Sequence, residues 1–152
     1  MLKVETKILN PLLLSKIPLP RYTTEGAAGI DVRACIDEPV VITAQETKII
    51  PSGFAINIRD PNIMGVLVPR SGLGIKQGIV LGNLVGIIDS DYQGEIKVGV
   101  WNRSQEEVVI YPSDRICQLI FMPIIRMEFD IVTEFSQTTD RGIGGIGHTG
   151  VK

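Results

Sequence analysis

Histidine, cysteine and aromatic residues are scarce in this 152-residue sequence, which has one histidine, two cysteines and 5% aromatic residues. Structural zinc sites need clusters of histidine and cysteine, so these few, scattered residues argue against one. Cys35 and Cys117 each lie in an apolar run, where small buried thiols are common. This cysteine usage fits a reducing, cytoplasmic setting.

The sequence also lacks an excess of charge and any long apolar run. Its formal net charge is −2 at pH 7, so no global positive field favours nucleic acid or an anionic membrane as a partner. No apolar run approaches the ~20 residues that cross a bilayer, and no signal peptide is recognisable. We therefore expect a cytoplasmic protein with no nucleic-acid partner and no membrane partner.

Long amphipathic helices are absent as well, and short apolar or alternating runs take their place. Turn residues separate these runs roughly every eight to twelve residues. The pattern predicts an all-β protein, a jelly-roll-like β-barrel or sandwich of about a dozen short strands, with a short helix near residues 73–76. The predicted strands cover residues 2–8, 30–36, 40–43, 47–50, 54–58, 64–68, 79–81, 84–88, 96–101, 108–111, 115–121 and 127–132.

The C-terminal region differs in composition from the rest of the chain. From about Phe135 onward, apolar residues give way to Thr, Asp, Gly and His. We predict a β jelly-roll domain at residues 1–135 and a glycine-rich, flexible arm at residues 136–152. The arm has roughly seventeen residues and could extend on the order of 55 Å, enough to cross a small domain.

Two apolar runs joined by a polar turn form residues 82–96. The pattern predicts a β-hairpin whose backbone could bind a flat ligand. Asp89 stands where a carboxylate could hold a water molecule, and Tyr92 offers a ring face nearby. An ordinary hairpin with a polar turn explains this segment equally well when it is taken alone.

Glycine-containing segments are candidate anion sites. Residues 141–150 formally match a dinucleotide fingerprint and nearly match a P-loop, but neither has the required strand before it and helix after it, so both are rejected. Glycine amides beside Arg141 could still form an anion-binding nest, although a disordered terminus explains the same composition. In Arg70-Ser71-Gly72, the hydroxyl and the glycine backbone could approach an anion.

Two polar residues in the body of the chain have alternative readings. Gln118 lies within an apolar strand and is either a satisfied core group or a ligand donor. Ser71 is not predicted to be a nucleophile, because the one histidine, His148, lies in the arm and no Ser/His/Asp order is visible.

Five segments occur in an order that resembles the five motifs of the homotrimeric dUTP pyrophosphatases. The resemblance covers essentially the whole chain and is strong because five motifs recur with the right spacing. The segments are AGIDVRA (28–34), PRSGLG (69–74), GNLVGIIDSDYQGEI (82–96), RICQLIF (115–121) and RGIGGIGHTG (141–150).

The resemblance implies a jelly-roll trimer whose active sites are shared between subunits. The implied activity is that of a dUTP diphosphatase, in which water attacks the α-phosphorus in line and dUMP and pyrophosphate are released. Such an enzyme limits uracil incorporation into DNA and supplies dUMP for dTMP synthesis.

The resemblance also assigns roles to individual residues. Asp89 would activate the attacking water, and Tyr92 would pack under the deoxyribose, where a 2′-hydroxyl would clash. Asn83, Ile87, Ile88, Asp89 and Lys97 would read the uracil edge. Arg70, Ser71, Gly72 and Gln118 would hold the phosphate chain, Arg141 would bind the γ-phosphate, and Ile146 and Gly147 would lie over the nucleotide.

The implied cofactor is Mg²⁺, which would bridge the phosphates and needs few protein ligands. Asp31 is the candidate to contact the ion through water. An equally weighted alternative makes Asp31 a buried partner of Arg33 or Arg115.

The arm is expected to act as a lid that is mobile without nucleotide. At position 146 the family usually has a phenylalanine that stacks on the uracil, whereas this chain has Ile146. We therefore expect weaker lid closure than with the aromatic residue.

Three other readings remain open. A dCTP deaminase shares the fold, but no segment with that relative's signature is visible. A non-catalytic β-sandwich binding module would explain the strands but not Asp89, Arg70 and Arg141 together. An inactive relative used for regulation or assembly would have the same sequence pattern.

Overall fold

The computed structural model describes residues 3–146 and 148, and within them the chain forms ten strands and two short helices. The elements are β1 (Glu5–Ile8), α1 (Leu12–Ser15), β2 (Ile30–Arg33), β3 (Val40–Ile42), β4 (Thr47–Asn57), β5 (Ile63–Pro69), α2 (Ser71–Lys76), β6 (Ile79–Leu81), β7 (Gly86–Ile88), β8 (Glu95–Asn102), β9 (Val108–Ile110) and β10 (Arg115–Pro123).

Two four-stranded antiparallel sheets, with orders β1-β4-β8-β6 and β2-β10-β5-β7, form the body, and β3 pairs with β9 in a smaller sheet. Apolar side chains alternate along β8, where Ile96, Val98 and Val100 are at most 1% exposed. The prediction of an all-β, jelly-roll-like fold is therefore confirmed, as is the short helix after residue 70.

Strand β4 is one long strand, although its sequence predicts two strands split at residues 51–53. Its pairing with β8 shifts between Pro51 and Ala55, which marks a bulge. Gly53 in this bulge has a φ of +78°, and a Cβ there would lie 2.5 Å from the Cys35 sulfur. A glycine is therefore required where β4 crosses the core.

The predicted β-hairpin at residues 82–96 is wrong in its pairing. Strand β7 pairs with β5, whereas β8 pairs with β4 and β6. The two runs thus belong to different sheets, and the polar turn between them connects the layers. Each run found a partner elsewhere because pairing depends on contacts far away in sequence.

The predicted strand at residues 127–132 is also wrong for the single chain. Among residues 124–146 no strand follows β10, and the apolar side chains of Met127, Phe129 and Ile131 are 70%, 83% and 94% exposed. The alternation is that of a strand, but none of the ten described strands pairs with it. A strand without a partner leaves both its backbone groups and its apolar face in water.

Both cysteines are free and buried, as the sequence predicted. Burial raises the pKa of the Cys117 thiol to about 12, and the nearby Asp31 charge adds to this rise. The thiol is therefore protonated at neutral pH and serves as a small apolar core group.

Across residues 3–146 and 148, no helix has both the length and the apolar character needed to cross a bilayer.

Candidate active site

A cavity of about 240 Å³ lies between β7 and β8, on the segment where the hairpin was predicted. It brings together six predicted site residues, which are Asn83, Ile87, Ile88, Asp89, Tyr92 and Lys97. The remaining lining residues are Leu67, Gly86, Glu95 and Ile96. We call this cavity the interlayer pocket.

Close packing of β5 against β7 forms one wall of the interlayer pocket. Gly65 faces Ile88, and Leu67 faces Gly86 in the strand register. A Cβ on Gly86 would lie 3.1 Å from the Leu67 Cβ, and a Cβ on Gly65 would lie 3.1 Å from the Ile88 Cβ. Two glycines therefore let the strands approach and place Leu67 in the wall.

The turn that leads into β7 is strained. Leu84 has a φ of +62°, and the Val85 N–H donates to the Asn83 carbonyl at 2.6 Å. This left-handed backbone conformation costs free energy for a residue such as leucine, and backbone strain of this kind clusters at functional sites. The turn also brings the Asn83 amide nitrogen to 3.5 Å from the position of a Cβ on Gly86, beside the pocket.

The loop between the two sheets positions Asp89 and Tyr92. The Tyr92 N–H donates to the Asp89 carbonyl at 3.2 Å, and the Tyr92 hydroxyl donates to the Glu95 carbonyl at 3.0 Å. A Cβ on Gly94 would lie 2.5 Å from the Tyr92 hydroxyl oxygen, so the ring folds back over this glycine. The Asp89 carboxylate is exposed at the rim, where water reaches it.

Asp89 also borders a second cavity of about 390 Å³ on its other side. Arg59, Arg126 and Asp91 also line that cavity. Asp89 thus borders both the interlayer pocket and a cavity lined by charges of both signs.

A separate cluster surrounds Asp31 on the sheet that contains β2, β10 and β5. The Asp31 carboxylate accepts from the Arg70 Nε at 2.9 Å and from an Arg115 guanidinium nitrogen at 3.2 Å. Gln118 on β10 lies beside Asp31 on β2 and beside Val68 on β5. We call Asp31, Arg70, Arg115 and Gln118 the arginine cluster.

One of the two predicted partners of Asp31 is wrong. Arg33 donates instead to the Ser113 carbonyl at 2.7 Å, whereas Arg115 does pair with Asp31. Arg70 was not predicted as a partner, and its guanidinium is held beside a carboxylate whose side chain is 14% exposed.

Ser71 and Gly72 are exposed at the start of α2, directly after Arg70. The Gly74 N–H donates to the Arg70 carbonyl at 2.8 Å, which fixes the backbone of this turn. A Cβ on Gly72 would meet no atom within 4 Å, so the surface there is open to a ligand.

The interlayer pocket and the arginine cluster are not brought together within one chain. Ile88, next to Asp89, pairs with Gly65 on β5, whereas Arg70 follows the other end of β5 at Pro69. Five residues of extended strand span roughly 16 Å. Asp89 and Arg70 of one chain therefore lie toward opposite ends of the same strand.

In the described part of the arm, the hydrogen bonds are local, and no residue there lines the interlayer pocket. The Arg141 Nε donates to the Gly144 carbonyl at 2.9 Å in a local turn, and Ile146 is fully exposed. The prediction for Gly147 falls outside the described residues.

Sequence reasoning missed four pocket residues, which are Leu67, Gly86, Glu95 and Ile96. Three of them come from β7 and β8 and had a usable signal, since Gly86 and Ile96 adjoin the predicted residues Ile87 and Lys97, and Glu95 precedes Ile96. Leu67 had none, because it reaches the pocket through the pairing of β5 with β7.

A dedicated metal-binding cage is not formed by the described part of the chain, where no three His, Cys, Asp or Glu residues cluster. An ion here would need most of its ligands from elsewhere, as Mg²⁺ does when it is held by phosphates and water.

The fold and the two groups of residues define a class: an all-β protein with a small-molecule pocket and a cluster of arginines of the kind that binds phosphates. The dUTPase family model matches residues 15–150. The deoxyuridine 5′-triphosphate nucleotidohydrolase of Cronobacter sakazakii is 53% identical over 152 residues, which cover 100% of this chain and 99% of that protein. The chain therefore belongs to the dUTPase family, as its motifs predicted.

Solved structures share the fold. The dUTPase of Staphylococcus bacteriophage 80alpha with dUPNHPP has a TM-score of 0.81 and 25% sequence identity, and the match covers 98% of this chain and 99% of that one. A mutant dUTPase of phage phi11 of S. aureus, which coordinates a structural Mg(II) ion, has a TM-score of 0.78 at 22% identity over 89% of this chain and 99% of that one.

Proposed function

We propose that this member of the dUTPase family hydrolyses dUTP to dUMP and pyrophosphate, with Asp89 as the general base. The observation that carries the proposal is the interlayer pocket, where an amide, a carboxylate and an aromatic ring meet. Relatives over 50% identical along the whole chain are named for this activity. The 80alpha dUTPase, with 25% identity and the same fold, binds the dUTP analogue dUPNHPP.

The pocket would read the base and the sugar. Asn83, Lys97 and the backbone of residues 87–89 would bind the uracil edge, and the narrow space would exclude a purine or a 5-methyl group. Tyr92 would pack under the deoxyribose and clash with a 2′-hydroxyl. Burying the polar edge of the base favours the correct partner, because a wrong base leaves hydrogen-bonding groups unpaired.

Asp89 would take a proton from a water molecule that attacks the α-phosphorus in line. The new bond joins the water oxygen to this phosphorus, the bond to the bridging oxygen breaks, and pyrophosphate leaves. An exposed carboxylate at the pocket rim can hold a water molecule and accept its proton.

The phosphate chain would lie against Arg70, Ser71, Gly72 and Gln118. The Asp31 carboxylate holds the Arg70 guanidinium at 2.9 Å, so this fork is oriented before a nucleotide arrives. An oriented arginine loses less side-chain freedom on binding than a mobile one. Arg141 of the arm would bind the γ-phosphate.

Magnesium fits this site only through water. Each Asp31 oxygen already accepts one guanidinium N–H, and the lone pair that remains on it can accept a hydrogen from a water molecule. When bound to the phosphates, Mg²⁺ would neutralise charge that develops during phosphoryl transfer. The residue that would contact its hydration shell is Asp31.

A homotrimer with shared active sites would unite the two groups. Asp89 and Arg70 of one chain are separated along β5, so a complete site would take them from different copies. The exposed apolar residues of segment 124–135 would gain a partner surface on another copy, which burial of apolar area favours. We propose no nucleic-acid or membrane partner and a cytoplasmic location, which two free buried thiols fit.

The test of the proposal is a panel of deoxynucleoside triphosphates assayed for pyrophosphate release with and without Mg²⁺. We expect efficient pyrophosphate release from dUTP. The kcat/KM values for dTTP, dCTP and UTP should be at least about a hundredfold lower. Release of ammonia from dCTP would favour a deaminase, and no turnover of any nucleotide would favour a binding module.

The arm is expected to act as a lid over the nucleotide. Truncation after Thr138 removes Arg141 and every glycine of the nest, so we expect kcat/KM for dUTP to fall at least about tenfold. Thermal denaturation serves as the control, because Ile143 and Ile146 are fully exposed and contribute nothing to the core. Undiminished turnover in the truncated protein would exclude a lid.

Replacing Ile146 with phenylalanine should strengthen lid closure, whereas truncation should abolish it. Stacking of a base on an aromatic ring is worth roughly 1–3 kcal/mol, and isoleucine provides only part of that contact. Ile146→Phe is expected to bind dUPNHPP about three- to tenfold more tightly, as measured by calorimetry. Ile143→Phe is the matched control, and equal affinities for wild type and Ile146→Phe would contradict the prediction.

A further inference from the structure

We propose that Glu95 is a positioning residue that fixes the Tyr92 ring and thereby sets selectivity for deoxyribose over ribose. The inference rests on the proposed function in one respect, namely that Tyr92 faces the sugar. Glu95 lines the interlayer pocket but is not expected to touch the nucleotide.

Glu95 joins Tyr92 to the core through two different groups. Its backbone carbonyl accepts the Tyr92 hydroxyl at 3.0 Å. Its carboxylate accepts the Gly53 N–H at 2.9 Å. A shift of residue 95 would therefore move the acceptor that holds the tip of the ring.

The Gly53 N–H needs a side-chain acceptor because of the bulge in β4. Pro51 pairs with Lys97 and Ala55 pairs with Glu95, so the residues between Pro51 and Ala55 fall out of the ladder. A buried amide without a partner is costly, and an ionised acceptor makes the stronger bond. The carboxylate thus replaces a missing ladder bond.

Gly53 is a firm anchor for this contact. Its carbonyl accepts the Leu9 N–H at 2.8 Å and the Asn10 N–H at 3.1 Å. The positions around its Cα are filled by Cys35 and Leu13, both of which are at most 3% exposed. The hydrogen bond from the Gly53 N–H therefore links Glu95, the first residue of β8, to a rigid part of the core.

The position of the Tyr92 ring depends on its hydrogen bond to residue 95, because much of the side chain is exposed to solvent. Its side chain is folded over Gly94, and the residue is 44% exposed. The hydroxyl bond to the Glu95 carbonyl therefore restrains the outer end of the ring. A ring free to swing would make room for a 2′-hydroxyl and weaken rejection of UTP.

The experiment compares kcat/KM for dUTP and UTP, with Mg²⁺ present, in Glu95→Ala, Glu95→Gln and Tyr92→Phe. We expect Glu95→Ala and Tyr92→Phe each to lower the dUTP-to-UTP ratio about three- to tenfold, the effect of one lost hydrogen bond. Glu95→Gln keeps an acceptor for the Gly53 N–H and should keep most of the ratio. Tyr92→Phe leaves the Gly53 contact intact, so it remains informative if Glu95→Ala folds poorly.

Glu46→Ala is the matched control. The Glu46 carboxylate also accepts a backbone N–H, from Thr43 at 2.8 Å, but it lies outside the interlayer pocket. We expect this variant to lose thermal stability and keep the dUTP-to-UTP ratio. A Glu95→Ala protein that loses stability but keeps the ratio would overturn the proposal, because Glu95 would then serve the bulge alone.

Tyr92→Ala separates failure of this inference from failure of the proposed role of Tyr92. If Tyr92→Ala lowers the ratio and neither Glu95→Ala nor Tyr92→Phe does, the ring selects the sugar without help from Glu95, and the positioning role is refuted. If Tyr92→Ala also keeps the ratio, Tyr92 does not face the sugar, and both ideas fail.

Discussion

Asp89→Asn is expected to lower kcat for dUTP hydrolysis by about a thousandfold while the affinity for dUPNHPP changes by less than about threefold. Asparagine has the shape of aspartate, and its side-chain oxygen can still accept a hydrogen bond from water. It cannot take up the proton that water must lose as it attacks phosphorus. The loss should therefore fall on the chemical step, because binding of the base and sugar depends on other groups in the pocket.

Single-turnover pyrophosphate release measures the chemical step, and calorimetry with dUPNHPP measures binding. Asp37→Asn is the matched control, since Asp37 is an exposed carboxylate outside the lining of the interlayer pocket. That variant should keep both values. A rate for Asp89→Asn within tenfold of wild type would remove Asp89 from the role of general base.

The sequence predicted the parts of the fold that depend on local pattern. Short apolar runs predicted the strands β8 and β10, and residues 51–53 predicted a break in β4 at the point where the structure has a bulge. The pairing of β7 with β5 was not predictable, because Gly65 and Gly86 permit that close approach only when the strands are already neighbours. Local pattern identifies strands, whereas long-range packing selects their partners.

The candidate site was also predicted where its residues form a local motif and missed where it depends on long-range contacts. Motif order placed six residues at the interlayer pocket, and the structure brings these six together. The Asp31 contacts were half predicted, since Arg33 on the same strand turns to the Ser113 carbonyl and Arg70 takes its place. The role of Glu95 was invisible in the sequence, because the amide it satisfies is freed by a bulge 42 positions away.

Segment 124–135 shows how a correct local pattern can fail in a single chain. The alternation of Met127, Phe129 and Ile131 is that of a half-buried strand, and all three side chains are exposed. An apolar face of this kind on a monomer calls for a partner. The proposed active site would be incomplete in one chain in the same way, since Asp89 and Arg70 stand toward opposite ends of β5.

Mixing two inactive variants should therefore restore activity. Asp89→Asn and Arg70→Ala damage different halves of the proposed site, and Arg115, which lies 3.2 Å from Asp31, is expected to remain its partner in Arg70→Ala. In a random equal mixture, half of the copies supply an intact Asp89 and half supply an intact Arg70. About one quarter of all sites then hold both. Once trimers of a single variant are removed, each mixed trimer holds roughly one intact site in three, so we expect roughly a third of wild-type turnover per site.

The measurement uses the two variants carrying different affinity tags, either co-expressed or unfolded and refolded together, and purified through both tags. Each variant refolded alone is the control and should stay below about 1% of wild type. If each chain instead holds a whole site, every site in the mixture still carries one defect. The mixture would then show only the average of the two defective rates, which would rule out shared sites whatever the assembly size.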